Sequence, residues 1–343
     1  MAVTVGKAGP SGSGDRRTIL KIHSCPVCGE LIAFESLFCG CGAAVAFDPD
    51  ADLFVPLSAG CANRDKISCN WAVPSDGALC RSCEMTTVIP DTFHGENSAL
   101  WAESEHAKRW VLANLARWGW FTSSDDGPRP EFHLLSESTT HGSVPVTMGH
   151  ADGVVTINVA EADEVERSQR RSDLGERLRT MIGHYRHELG HFFFFKRLAP
   201  QYGFTERFRM LFGDETTDYG EALERHYRDG PPSDWNQNHV SPYASSHPHE
   251  DWAETFAHLL HLTDITDSFA AAGLSNRDVT GSDYDAYEEA DSERLITIGA
   301  GLGIALNHVN RSIGLQDIYP FVLTPVIREK LAFVHRWMRG NAA

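Results

Sequence analysis

His187-Glu188-Leu189-Gly190-His191 sets two imidazoles four residues apart, the spacing that aligns side chains on one face of an α-helix. Both rings can then reach a single zinc ion, with Glu188, one step round the helix, facing a water on that ion. Glu188 would take the water's proton and later return it to a leaving amine. A catalytic zinc needs a third protein ligand and an open position. Arg197 occupies the place where H-E-x-x-H-x-x-G-x-x-H would put a third His, and Phe194 the place of the Gly, so the ligand must come from further on. Glu250 and Glu254 share one face of the next strongly apolar-periodic segment. One can bind metal while the other accepts the N–H of a ligand histidine and fixes its tautomer. Glu250 is the favoured ligand and Glu254 the acceptor; the reverse order, and Asp251 as a distant third, stay open. Acids at a helix start also complement the helix dipole, which accounts for Glu250 but not for the pair. Hydrolysis needs a donor for the developing oxyanion. Tyr243 is the first candidate and His247 the next, with His247 and His249 also available to touch substrate. The segment from Asp214 to Tyr227, including Tyr219, His226 and Tyr227, reads as packing.

A second chemistry belongs to the eight cysteines, all within positions 25–83. Cys25, Cys28, Cys39 and Cys41 form one set of four thiols; Cys61, Cys69, Cys80 and Cys83 form another. A C-x-x-C turn supplies two sulfurs at neighbouring vertices of a zinc tetrahedron with little loop entropy to lose. Each set is therefore expected to hold one structural zinc, and metal would supply much of the folding energy of so short a segment. Buried free thiols or a redox pair are the alternatives. The reading totals one catalytic and two structural Zn2+.

These groups have to be positioned by regular elements. Trp101, Trp110, Leu112, Leu115 and Trp118 predict a helix from a cap near Ser98 to Gly119. Phe132–Leu135 and Val154–Val159 read as strands; in the second, Val155, Ile157 and Val159 share a face, and this strand is expected to pair with an extended peptide substrate. Leu178, Ile182, Tyr185 and Leu189 predict a long helix from about Asp173, ending in a buried Phe192–Phe195. Residues 228–249 read as an extended loop, and helices are expected at Glu250–Leu262, Ala290–Ile313 and Pro325–Met338. The chain thus divides into a flexible tail (1–20), a cysteine-rich module (21–90) and a helix-dominated domain with a small sheet (91–343).

Composition narrows the partners. Among 343 residues, 47 acids against 30 bases give a net charge of −17, which argues against a mainly electrostatic nucleic-acid binder. Hydrophobic content of 42% is ordinary for a globular chain, without a run of about 20 apolar residues for a membrane span. With no export signal, the cysteines point to the reducing cytoplasm and to metal in preference to disulfides.

Several longer stretches carry a resemblance: Cys25-Pro-Val-Cys28, Cys69-Asn70-Trp71, Cys80-Arg81-Ser82-Cys83, Gly149-His150-Ala151-Asp152-Gly153, Gly183-His184-Tyr185-Arg186 running into the histidine motif, Tyr243-Ala-Ser-Ser-His-Pro, and Glu250-Asp-Trp-Ala-Glu254-Thr-Phe-Ala-His258. Over about residues 22–340 the chain resembles the bacterial zinc-binding metallopeptidases with an N-terminal zinc-ribbon domain, which are similar to the gluzincins. The resemblance implies an α+β zincin-like metallopeptidase domain preceded by a small zinc-ribbon module. It also implies Glu250 as third ligand, an acidic partner four residues on at Glu254, and Tyr243, seven before the ligand, as the oxyanion donor. The chain departs from that family at His249, usually Trp, and at Phe192–Phe195, usually richer in Tyr and Trp. The expected activity is zinc-dependent cleavage of peptide or isopeptide amides, with a peptide or protein substrate and a possible protein partner at the ribbon module. A catalytically weak zinc-stabilised interaction module and a small-molecule amide hydrolase are the alternatives.

Overall fold

The computed structural model describes residues 22–162, 180–274, 284–319 and 322–340. The tail 1–20 and the expected helix start at Asp173 and Leu178 lie outside them. The order of elements begins with two short antiparallel pairs, β1 (Ile22–Ser24) with β2 (Leu31–Ala33) and β3 (Val45–Asp48) with β4 (Leu53–Pro56). Two single-turn helices follow, α1 (Arg64–Ile67) and α2 (Arg81–Glu84). Strand β5 (Thr86–Val88), helix α3 (Asn97–Ala116), β6 (Glu131–Leu135), the pair β7 (Ser138–Thr139) and β8 (Gly142–Ser143), β9 (Gly149–Ala151) and β10 (Val154–Asn158) come next. The remainder is helical: α4 (Met181–Phe192), α5 (Phe204–Phe212), α6 (Tyr219–Asp229), α7 (Pro248–Ala271), α8 (Ser292–Ser312) and α9 (Pro325–Met338). This is a mixed, helix-dominated molecule with small sheets, and no helix among the described residues is long and apolar enough to cross a membrane.

The main sheet has the order β5-β6-β10-β9, parallel except for β9. Phe132, Leu134, Val155, Ile157 and Val159 are all fully buried, as strand alternation requires of a face packed on helices. That burial, with the topology, corrects one expectation. β10 pairs along its whole length with β6 and, from Val154 to Thr156, with β9, so its hydrogen-bonding groups are largely used. Val155 and Ile157 cannot touch substrate; the strand at this edge of the sheet is β9.

Thr180 caps α4, its hydroxyl accepting from Gly183 N at 3.0 Å. Its extended backbone (φ −122°, ψ 160°) is that of an N-cap, so α4 has its first helical residue at Met181. After Phe192 the coil widens into a π-helical stretch, Phe193–Leu198, closed by Ala199 N to Phe194 O at 2.8 Å. The wider turn leaves Phe195 43% exposed, although Phe192–Phe194 are buried as expected. Arg197 points back to Asp125, with which it forms an ion pair, and lies over the Trp120 and Phe121 rings.

α4 and α7 cross closely because the contact residues are small. A Cβ on Gly190 would lie 3.0 Å from the Ala253 Cα, and Trp252 Nε1 donates to the Gly190 carbonyl at 2.7 Å. α7 begins with Pro248 in its first turn and His247 as its cap, and it runs well beyond the expected Leu262.

The cysteine-rich segment packs into the same core as the helices. Phe34 meets Trp110 edge-on at 5.3 Å, and Lys108 Nζ donates to Ser82 O at 2.9 Å. Arg117 of α3 joins Asp52, in the β3–β4 turn, at 3.1 Å to Asp285 at 2.6 Å, with Asp267 of α7 at 3.7 Å. β5, on the cysteine side of residue 90, is a strand of the main sheet, so the cysteine-rich segment and the helical part share that sheet as well as a core.

Candidate metal centre

On α4 the helical repeat brings His187 Nε2 and His191 Nε2 to 3.2 Å of each other. Glu250, in the first turn of α7, meets both rings beside the Gly190–Ala253 crossing. Its Oε2 lies 3.1 Å from His187 Nε2 and its Oε1 3.4 Å from His191 Nε2. The 3.2 Å between the two imidazole nitrogens and the 3.1 Å from His187 Nε2 to Oε2 match the edge of about 3.3 Å expected for a tetrahedron with zinc–ligand bonds of about 2.0 Å. Among the described residues Glu250 Oε2 is buried with no hydrogen-bond partner, as is Glu188 Oε2. A buried carboxylate facing two converging imidazole nitrogens fits a divalent cation, whose charge it would offset.

Glu254 meets the other side of the same histidine: its Oε1 is 2.7 Å from His187 Nδ1, while Oε2 accepts from Ser241 Oγ at 2.6 Å. Burial works against charge on His187, but Glu250 and Glu254 outweigh it and hold the ring well above the usual histidine range. Burial likewise opposes charge on Glu250, yet His191 and His187 keep its carboxyl well below the usual carboxylate range. The pocket is thus electrostatically prepared for positive charge between these groups.

Tyr243 lies beside His187, with ring centroids 6.1 Å apart. The sequence reading missed Tyr219, which it treated as packing: its hydroxyl donates to Glu250 Oε1 at 2.7 Å. Burial, then the Glu250 carboxylate, pushes both phenols up, so each keeps its proton and remains a donor. His247 proves unavailable to substrate. Its Nδ1 accepts from His249 N and its Nε2 lies 3.1 Å from the Thr217 carbonyl, which leaves no free ring nitrogen. His249 packs against Phe194 and Phe195 at 4.8 and 4.7 Å, and burial lowers it to about 4. His150, on β9, stacks on the Phe195 ring at 5.7 Å.

Both cysteine sets assemble as the spacing suggested. Sulfur separations of 3.6 and 4.0 Å in the first set and 3.5 and 3.8 Å in the second bracket the edge of about 3.8 Å implied by zinc–sulfur bonds of about 2.3 Å. Cys28 and Cys41 are exposed, whereas all four thiols of the second set are buried. Backbone N–H groups of Val27, Cys80 and Cys83 point at sulfur, a contact that favours thiolate.

The fold and these clusters define a metallopeptidase-like domain preceded by a zinc-ribbon region. The chain belongs to the family described as "putative zinc-binding metallo-peptidase", whose pattern matches residues 97–337. A zinc-ribbon domain pattern matches residues 56–94, which takes in the second cysteine set and not the first. Proteins of Mycobacterium tuberculosis and Mycobacterium bovis, each named as uncharacterised, are 40% identical over 325 residues, covering 91% of this chain and 93% of theirs. No solved structure matches.

Proposed function

We propose that the chain is a zinc-dependent hydrolase of peptide or isopeptide amides. The observation that carries this reading is the convergence of His187, His191 and Glu250 on one point, with Glu188, between the two histidines in sequence, keeping a buried Oε2 free of hydrogen bonds. Those three residues would hold the zinc, which when bound would supply Lewis acidity and lower the pKa of water toward about 7. Glu188 would be the base that accepts a proton from the attacking water at Oε2 and returns it to the leaving nitrogen. Glu254 keeps the His187 proton on Nδ1, leaving Nε2 free to bind. Tyr243, neutral through burial, donates to the developing oxyanion. β9, at the edge of the sheet beside Phe195, takes over from β10 the pairing with an extended substrate. Each cysteine set holds one structural zinc.

The test joins metal counting to turnover. The wild type is expected to carry three zinc ions and Glu250→Ala two. Glu188→Gln should keep all three and cleave a peptide library at a rate lower by about 10^2–10^4-fold. Unchanged cleavage in Glu188→Gln would remove the mechanism, and a wild type holding only two zinc ions would remove the catalytic metal.

A further inference from the structure

The two oxygens of Glu250 stand in different surroundings. Each faces one ligand histidine, Oε1 at 3.4 Å from His191 Nε2 and Oε2 at 3.1 Å from His187 Nε2, but only Oε1 also accepts a hydrogen bond, from the Tyr219 hydroxyl at 2.7 Å. Tyr219 opens α6, and that end of α6 is laced to the start of α7. Asp218 caps it by accepting from Glu221 N at 2.8 Å, the Thr217 carbonyl meets His247 Nε2 at 3.1 Å, and the Tyr219 ring packs edge-on against His247 at 5.2 Å. The phenol therefore reaches Glu250 from a framework fixed by the cap of Glu250's own helix. Its hydroxyl also neighbours that of Tyr243.

From these contacts we infer that Tyr219 is a positioning residue: it holds Oε1 of Glu250 and so restricts the carboxylate to binding metal through Oε2 alone. The inference rests on the metal-centre reading above and deepens it. A carboxylate can coordinate through one oxygen or two, and an ion bound through two has less room for water and substrate. A donor committed to one oxygen removes that choice before the metal arrives, much as a carboxylate fixes the tautomer of a ligand histidine. The Tyr243 phenol, resting beside Tyr219, is kept on the same side of the site.

The experiment uses the full chain with zinc left in the cysteine sites. The weakest-held ion is removed by dialysis against a chelator and replaced with cobalt(II), whose visible absorption is stronger in four-coordinate than in five-coordinate sites. Tyr219→Phe is expected to lose absorption intensity as Glu250 becomes bidentate, and to weaken zinc at this site by about 10–100-fold in competition with a chelating dye. Tyr243→Phe, which leaves the Tyr219–Glu250 bond intact, should match the wild type in both. Near-ultraviolet circular dichroism and retention of two cysteine-bound zinc ions check folding; the substitution removes only a hydroxyl from a side chain 43% exposed. A Tyr219→Phe spectrum and affinity equal to wild type would overturn the inference and leave the metal centre standing. Equal changes in the Tyr219→Phe and Tyr243→Phe variants would overturn it too, since the effect would not pass through Glu250. If wild type and Glu250→Ala take up no cobalt at this site alike, the metal reading fails and the inference with it.

Discussion

At the scale of single residues, the candidate metal ligands were legible where spacing carries the information. His187, Glu188 and His191 follow from the helical repeat, and Glu250 with Glu254 from a pair of acids four apart. Tyr219 was not legible, because no periodicity links it to a residue 31 positions later; only the contact of the α6 and α7 ends reveals it. His247 was misread because a helix cap and a substrate contact look alike in a loop sequence. Buried titratable groups away from the metal also have consequences. His335 is fully buried, lies 2.8 Å from Ser292 Oγ, and is lowered from 6.5 to about 4 by burial and then by Arg339 and Arg336. With the folded value below the unfolded one, folding favours the neutral ring. Its contribution is complete above about pH 6.5 and is lost as pH falls toward 4. His23 and His258 are lowered in the same way. The urea midpoint should therefore drop between pH 7 and pH 4.5, and more shallowly, by about one proton, in His335→Gln. An identical pH slope in the two proteins would show that His335 does not titrate on unfolding.

At the scale of elements, helices and strands were read better than their neighbours. Alternation in Val154–Val159 reports which side chains face inward, but not which strands lie on either side, and β9 is three residues of Gly, His and Ala with no strand signature of its own. The Thr180 cap of α4 carries no mark in the apolar periodicity, which reports a face and not where a helix begins. The crossing of α4 and α7 is what converts two separate motifs into one site, and it depends on Gly190. In Gly190→Ala the new methyl would press on Ala253 backbone, an overpacking cost of about 1–3 kcal/mol that the better helix propensity of alanine, about 0.5–1 kcal/mol, only partly offsets. The helices should separate slightly, lowering the unfolding midpoint and weakening metal at His187, His191 and Glu250 while the cysteine sites keep theirs. Calorimetry and metal titration check both; unchanged metal affinity would mean that the ligands tolerate a wider crossing.

At the scale of the whole molecule, the cysteine segment and the helices share one core through Phe34, Trp110, Lys108 and the Asp52–Arg117–Asp285 ion network. Loss of a structural metal should then be felt far from the sulfurs. Cys69→Ser is expected to lower the unfolding temperature of the entire chain in one transition, seen equally by tryptophan fluorescence and far-ultraviolet circular dichroism. A separate early transition, with the helical part melting as in the wild type, would show that the two parts unfold independently. The sequence could place the cysteines in a module by composition, but a shared core leaves no compositional mark. The same ion network bears on how the chain is made. Asp52 leaves the ribosome long before Asp267 and Asp285, so during synthesis the first ninety residues wait for the partners that complete their packing. Both thiol sets lie wholly within those residues, so a metal that joins either set needs no later part of the chain, and zinc added during synthesis is expected to order this segment before the helices arrive.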